Sequence, residues 1–193
     1  MSSKTFFITG ANSGFGFAIA AAASRKGHKV VGAVRSQQSR AELAERLPAV
    51  HPVLCDVTEF DRVADIVRQT EEDHGPVDVL INNAGCGHEG ILEESPLEEM
   101  RRQFDVNVFG AVAVAKAFLP LFRERRRGFI VNVTSMGGMI TMPGIAYYWW
   151  KQIRAPGHFR SHARGDGALR HTRDGAVPWL VPNGLGWTFD DQD

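Results

Sequence analysis

Thr9-Gly10-Ala11-Asn12-Ser13-Gly14-Phe15-Gly16 is the stretch on which the reading of this chain turns. It follows the β-branched and aromatic run Thr5-Phe6-Phe7-Ile8 and opens an alanine-rich stretch that Gly27 stops. A strand, a glycine-rich turn and a helix in that order suit a phosphate-bearing ligand for two physical reasons. Glycine lets backbone approach a ligand closely, and the start of a helix offers N–H groups without intrahelical partners together with the positive end of the helix dipole. Gly10, Asn12, Ser13, Gly14, Phe15 and Gly16 are therefore the first candidate binding residues. Taken alone, the same string also describes an ordinary tight turn between strand and helix.

Outward from this turn, short β-branched runs alternate with longer segments of helical period, the rhythm of a parallel sheet with helices on both faces. The pattern predicts strands over 5–9, 29–34, 50–54, 77–81 and 129–134. It predicts helices over 14–26, 39–47 and 59–73, the last with Thr58 as N-cap. Residues 96–127 carry two helical segments, the second expected to kink near Pro120 and to end in a solvated basic turn, Arg123 and Arg125 to Arg127. At 193 residues the chain is long enough for one domain with a proper core.

Composition removes several function classes. Lys plus Arg (22) balance Asp plus Glu (22), so charge points neither to nucleic acid nor to an anionic membrane as principal partner. Cys55 and Cys86 have no metal-ligand spacing and form no disulfide framework, which suits a reducing, cytoplasmic setting, and no metal is expected. The N-terminus runs straight into the first strand with no signal-peptide pattern. The apolar stretch from Phe104 to Phe122 is interrupted by Asp105, Asn107 and Lys116, so no membrane span is expected.

The spacing Thr9-Gly10-x-x-x-Gly14-x-Gly16 resembles the TGxxxGxG cofactor motif of the short-chain dehydrogenases/reductases. Asn82-Asn83-Ala84-Gly85, at the end of the fourth predicted strand, resembles that family's NNAG motif, and the resemblance runs in order from residue 4 to residue 148. It implies an α/β fold, a Rossmann-like doubly wound parallel sheet in the order 3-2-1-4-5-6-7. It also implies an oxidoreductase that interconverts an alcohol and a carbonyl by hydride transfer with a nicotinamide dinucleotide, usually as a homo-oligomer. Asn83, Ala84 and Gly85 would line the cofactor site. Asp56, followed by Val57, matches the family's acidic residue near the adenine, although an aspartate that merely starts a turn would look the same. Asn107 matches the asparagine that kinks the long helix and supports a proton-relay water. Ser135, past the fifth strand, matches the serine that holds the substrate oxygen. Tyr148, thirteen residues later, is selected over Tyr147 as the tyrosine that exchanges the proton.

Family members that prefer NAD usually carry an acidic residue at the end of strand 2. Here that position is Val34, followed by Arg35 with Arg40 nearby. A guanidinium suits a 2′-phosphate through charge-assisted hydrogen bonds, so NADP(H) is expected over NAD(H).

The pattern breaks after Tyr148. The family continues Tyr-x-x-x-Lys, but the residue four past Tyr148 is Gln152; Lys151 stands in that relation to Tyr147, a rotation of about 100° on a helix. Pro156-Gly157 would also end the helix that should carry the lysine. Residues 149–193 show no period of 3.6 or 2 and predict neither helix nor strand. The genetic code offers a reason. With one base deleted near the Trp149 codon and permissive synonymous codons, Trp150 onward can read G-S-K-F-A-L-Q-G-I-S-E-A, which resembles the family's lysine segment. The expectation is a family domain over 1–148 and an out-of-frame tail over 149–193. Strands 6 and 7 would then be missing, and Phe129-Ile130-Val131 would lie on an exposed, aggregation-prone edge. A non-catalytic dinucleotide-binding remnant is the alternative function. A nucleic-acid or metal-binding role for the Arg- and His-rich tail is disfavoured by its lack of ligand spacing and of aromatic interleaving.

Overall fold

Where the glycine-rich turn ends up depends on which strands flank it. The computed structural model describes residues 2–134 and, as backbone, residues 160–163 and 169–172. In chain order it contains β1 (Thr5–Thr9), α1 (Gly14–Arg25), β2 (Lys29–Val34), α2 (Gln37–Arg46), β3 (Val50–Leu54), α3 (Phe60–His74) and β4 (Val79–Asn82). These are followed by α4 (Leu97–Phe104), a π-helical segment Asp105–Gly110, α5 (Ala111–Glu124) and β5 (Phe129–Asn132). The five strands are parallel, in the order β3-β2-β1-β4-β5. The chain leaves β1 toward β2 on one side and returns to β4 on the other. The carboxyl ends of β1 and β4 therefore flank a switch point, where open α/β sheets bind ligands.

Alternate side chains of each strand enter opposite layers. Phe7, Val31, Ala33 and Leu80 pack with Val63 and Val67 of α3 and with Val114, Phe118 and Phe122 of α5. Ile8, Val30, Val34, Val79 and Ile81 pack with Ala20 and Ala23 of α1 and Leu43 of α2. Burial on both faces is why these strands read as continuous apolar runs rather than as alternating ones.

Several local expectations change. Helix α2 begins two residues earlier than the periodicity suggested, because Ser36 caps it by accepting from Ser39 N at 3.1 Å. Thr58 is not the N-cap of α3: its N–H and hydroxyl both bond Asp56 Oδ1, at 2.9 and 2.7 Å, and Glu59 takes the cap position. The departure from α geometry in the long helix lies at Asp105–Gly110, whereas Pro120 sits inside α5. Proline is tolerated there because Pro120 and Lys116, whose carbonyl loses its N–H partner, both face solvent. The basic turn is not simply solvated. Arg125 forms a two-point ion pair with Glu71 and also donates to Val77 O, and Arg127 pairs with Asp78, which ties the end of α5 to the loop before β4.

The stretch Leu97–Glu124 forms 28 residues of continuous helix, long and apolar enough to cross a membrane on length and composition alone. Within it, Val114, Phe118 and Phe122 are buried, and the Phe118 ring lies 5.1 Å from that of Phe7.

Two more strands extend the sheet. β6 (Arg160–Ala163) lies antiparallel to β5, with Phe129 opposite His162, and β7 (Leu169–Thr172) pairs antiparallel with β6. This corrects the expectations that the tail contains no strand and that β5 forms the outer edge. It also differs from the parallel strands 6 and 7 that the resemblance implies. A ladder is built from backbone N–H and C=O groups. Arg-Ser-His-Ala and Leu-Arg-His-Thr can therefore pair without the apolar alternation by which a strand is read from sequence.

One titratable group couples this fold to pH. Burial first, then the neighbouring His51 ring and the Lys29 ammonium, hold the His74 imidazole below its usual 6.5, against an opposing pull from Asp73. A histidine with a depressed folded pKa binds more protons unfolded than folded. Its contribution is thus intact above about pH 6.5 and is lost as pH falls below that value. Urea melts between pH 7.5 and 5 should show stability falling toward acid, and His74→Gln should flatten that slope.

Candidate functional site

The glycine-rich turn is fixed from beneath by the residues after β4. Thr9, buried at the end of β1, accepts at Oγ1 from the backbone N–H groups of Asn83 and Ala84, both at 2.9 Å. In return, Asn83 Nδ2 donates to the carbonyls of Thr9 (2.9 Å) and Gly10 (3.2 Å). The close approach explains two of the glycines. A Cβ on Gly10 would lie 3.0 Å from Ala84 Cα, and one on Gly16 would lie 2.4 Å from both Gly10 O and Asn83 Nδ2. Gly14, at φ +52, has nothing within 4 Å of the same construction and faces open space.

Helix α1 starts immediately beyond. Ser13 occupies its N-cap in extended backbone without a side-chain cap bond, and Ser13 and Gly14 are exposed. The first-turn N–H groups of α1 thus have neither intrahelical partners nor a capping oxygen. A diphosphate fits this start on three counts: open backbone donors, the positive dipole end, and no side chain in the way.

At the carboxyl end of β2, Val34 is buried and Arg35 is exposed, with Arg40 also exposed on α2. A polar cluster joins this corner to the turn. Ser36 Oγ donates to Ser39 Oγ at 3.0 Å, Asn12 Nδ2 donates to the same oxygen at 3.3 Å, and Arg46 donates to Asn12 O at 3.0 Å. Sequence reasoning missed Thr9, Ser36, Ser39 and Arg46 as supports of the site. A hydroxyl beside a cap or a turn could have pointed to the first three, but nothing local marks Arg46.

At the end of β3, Asp56 is engaged in its turn through both bonds from Thr58, which is the turn-starting role left open above. The Val57 side chain is buried against Gly110, where a Cβ would lie 2.7 Å from Val57 Cγ2, so it belongs to the core rather than to an open lining. Asn107 sits within the π-helical segment and grips the loop after Gly85 at two points. It accepts from Cys86 N and donates to Cys86 O, both at 2.8 Å. Asn82 links the same region to β5, donating to Ala111 O (3.2 Å) and to Asn132 Oδ1 (2.9 Å).

The structure thus gathers Gly10, Asn12, Ser13, Gly14, Phe15, Gly16, Asn83, Ala84 and Gly85 at the switch point, with Arg35 at its β2 side and Asn107 behind Gly85. Ser135, Tyr147, Tyr148 and Lys151 lie outside the described residues. Among the described residues no three His, Cys, Asp or Glu side chains gather as a metal site. Burial pushes the Cys55 thiol up to about 12, with Asp56 and Glu59 adding to the rise, so it stays a neutral core group. A cavity lined by Ser3, Lys26, Gly27 and His28 lies at the amino ends of β1 and β2, opposite the turn.

Comparison with known proteins follows the same boundaries. The short chain dehydrogenase family model matches residues 4–149. A 3-ketodihydrosphingosine reductase of Bacteroides thetaiotaomicron is 38% identical over 158 residues, covering 82% of this chain and 56% of that protein. Among solved structures, a short chain dehydrogenase/reductase from Burkholderia phymatum in complex with NAD superposes with a TM-score of 0.73 at 32% identity, covering 79% of this chain and 56% of the other. An alcohol dehydrogenase from the archaeon Thermococcus sibiricus, complexed with 5-hydroxy-NADP, gives 0.70 at 30% identity, with coverage of 80% and 67%. The chain spans about half the length of the relatives it matches. The family model spans most of the chain and the parallel sheet from β1 to β5 superposes on solved members: the chain belongs to the short chain dehydrogenase family.

Proposed function

We propose that this chain derives from an NADP(H)-dependent oxidoreductase that interconverts an alcohol and a carbonyl, with a cytoplasmic setting and a small-molecule substrate. The observation that carries the reading is the uncapped, solvent-facing start of α1, held open by Thr9 and Asn83. A nicotinamide dinucleotide bound there supplies the hydride chemistry. The chain's own residues would do the rest. The first-turn N–H groups of α1 hold the diphosphate, Asn107 fixes the loop after Gly85, Ser135 holds the substrate oxygen and Tyr148 exchanges the proton.

The choice of NADP(H) rests on Arg35, exposed directly after the buried Val34. Relatives carry either form of the cofactor, so the preference is a property of this corner. Charge-assisted bonds to a phosphate are worth roughly 10- to 100-fold in affinity. Arg35→Asp should weaken NADPH binding by about that factor while holding or improving NADH binding, as read by fluorescence titration of both. If wild-type protein binds NADH more tightly than NADPH, the preference is wrong.

A second reading has its own support. The lysine position after Tyr148 is Gln152, and the family match stops at residue 149, where the texture of the sequence changes. Both support the proposal that residues 149–193 are read out of frame. In that case this polypeptide is a dinucleotide-binding remnant without turnover. Sequencing the gene tests this directly: if no single-base shift opens the longer frame, the frameshift proposal fails.

A further inference from the structure

Residues Ser39, Leu43 and Arg46 fall at i, i+4 and i+7 on α2 and so share one helical face. All three reach toward the glycine-rich turn. Ser39 Oγ takes the Asn12 side-chain amide at 3.3 Å. The buried Leu43 fills the space left by Gly32, where a Cβ would meet Leu43 Cδ2 at 2.6 Å and Ala11 Cβ at 3.0 Å. Arg46 donates to Asn12 O at 3.0 Å and lays its guanidinium over the Phe17 ring, 3.9 Å from the centroid. Leu43 is the only buried residue of this helix, whose other apolar side chains are the exposed Ala41 and Ala44.

From this stripe we infer that α2 clasps the diphosphate-binding turn, and that Arg46 is the positioning residue of the clasp. Asn12 is held from both ends, by its amide and by its carbonyl. Phe17, in the first full turn of α1, is covered by the same guanidinium. Arg46 thereby sets the angle between the turn and α1 without itself touching a ligand. Because Arg35 and Ser36 lead directly into α2, the clasp also ties the corner proposed to recognise the 2′-phosphate to the seat of the diphosphate. In its second half the inference rests on the dinucleotide reading given above.

The test has two arms. In ligand-free protein, hydrogen exchange at the amides of Gly10, Ala11 and Phe17 reports the turn, since these bond Ala33 O and Ser13 O. Arg46→Met keeps an unbranched side chain on α2 and removes the guanidinium, and with it both the donor to Asn12 O and the cation over Phe17. It should speed exchange at these amides by about fivefold while leaving the global unfolding midpoint unchanged, and Arg46→Lys should restore part of the protection. Unchanged exchange, or faster exchange spread across the whole sheet, would overturn the clasp. In the second arm, Arg46→Met should weaken NADH and NADPH by the same factor, about fivefold. A loss confined to NADPH would make Arg46 a phosphate ligand and overturn the positioning role. Wild-type protein that binds neither dinucleotide would sink the cofactor reading alone, and the exchange arm would still decide the clasp.

Discussion

If residues 149–193 are out of frame, as proposed, a chain with the longer frame restored after Tyr148 is expected to raise carbonyl-reduction turnover by roughly 10²–10⁴-fold over the chain as it stands, the range that a positioned acid–base group contributes. In the shifted reading, the string G-S-K begins at Trp150, so its lysine falls on the Gln152 position, four residues after Tyr148. On a helix that places the ammonium on the tyrosine's face, where it lowers the phenol pKa from about 10 and makes proton exchange near neutrality feasible. In the present frame, Lys151 has that spacing only to Tyr147, and Pro156 follows closely. The measurement is the steady-state rate of NADPH oxidation with a panel of aliphatic, aromatic and steroidal ketones, using both chains side by side. Equal rates would show that the lysine segment is not what this polypeptide lacks. Equal and substantial dinucleotide affinity combined with unequal rates would separate the binding half of the domain from its catalytic half.

Gly16→Val is expected to be the most damaging single change among the described residues of the turn. Its Cβ would fall 2.4 Å from Gly10 O and from Asn83 Nδ2, a backbone atom and a side chain already bonded to two carbonyls. Neither can move without breaking the lock between β1 and β4. Overpacking a tight site of this kind costs about 2–4 kcal/mol, and the distorted start of α1 should bind dinucleotide at least about 100-fold more weakly. Gly14→Ala supplies the contrast. Its added methyl meets nothing within 4 Å, so only the left-handed backbone at φ +52 resists it, at a cost of about 1–2 kcal/mol. Chemical denaturation and dinucleotide titration of both variants check the pair. A Gly16→Val variant as mild as Gly14→Ala would contradict the close packing of Gly16 against Gly10 and Asn83.

The Arg125–Glu71 pair shows how a feature can be plain in sequence and still be misread. A run of arginines at a helix end is normally solvated, and composition gives no reason to think otherwise. Only the approach of α3 to the end of α5 brings Glu71 within reach, with the side chains of both partners mostly covered. Thr58 repeats the lesson on a smaller scale. Its hydroxyl looked like a helix cap, but Asp56, two residues earlier, took both of its donors into a local turn.

The five parallel strands, the helices between them and the glycine-rich turn were legible in the order of residues. Burial on both faces writes apolar runs, and glycine marks the places where backbone must come close. The same order of residues located Asn83, Ala84 and Gly85, and it located Asn107 in the long helix. Tertiary structure alone decided that Asn107 grips Cys86 at two points, that Thr9 accepts both backbone donors after Asn82, and that Arg46 reaches Asn12. The antiparallel pairing of β6 onto β5 belongs with them. These are contacts between residues far apart in the chain, made by hydrogen-bonding groups that nearly every segment carries. Periodicity records which face of an element is buried; it does not record what lies against that face.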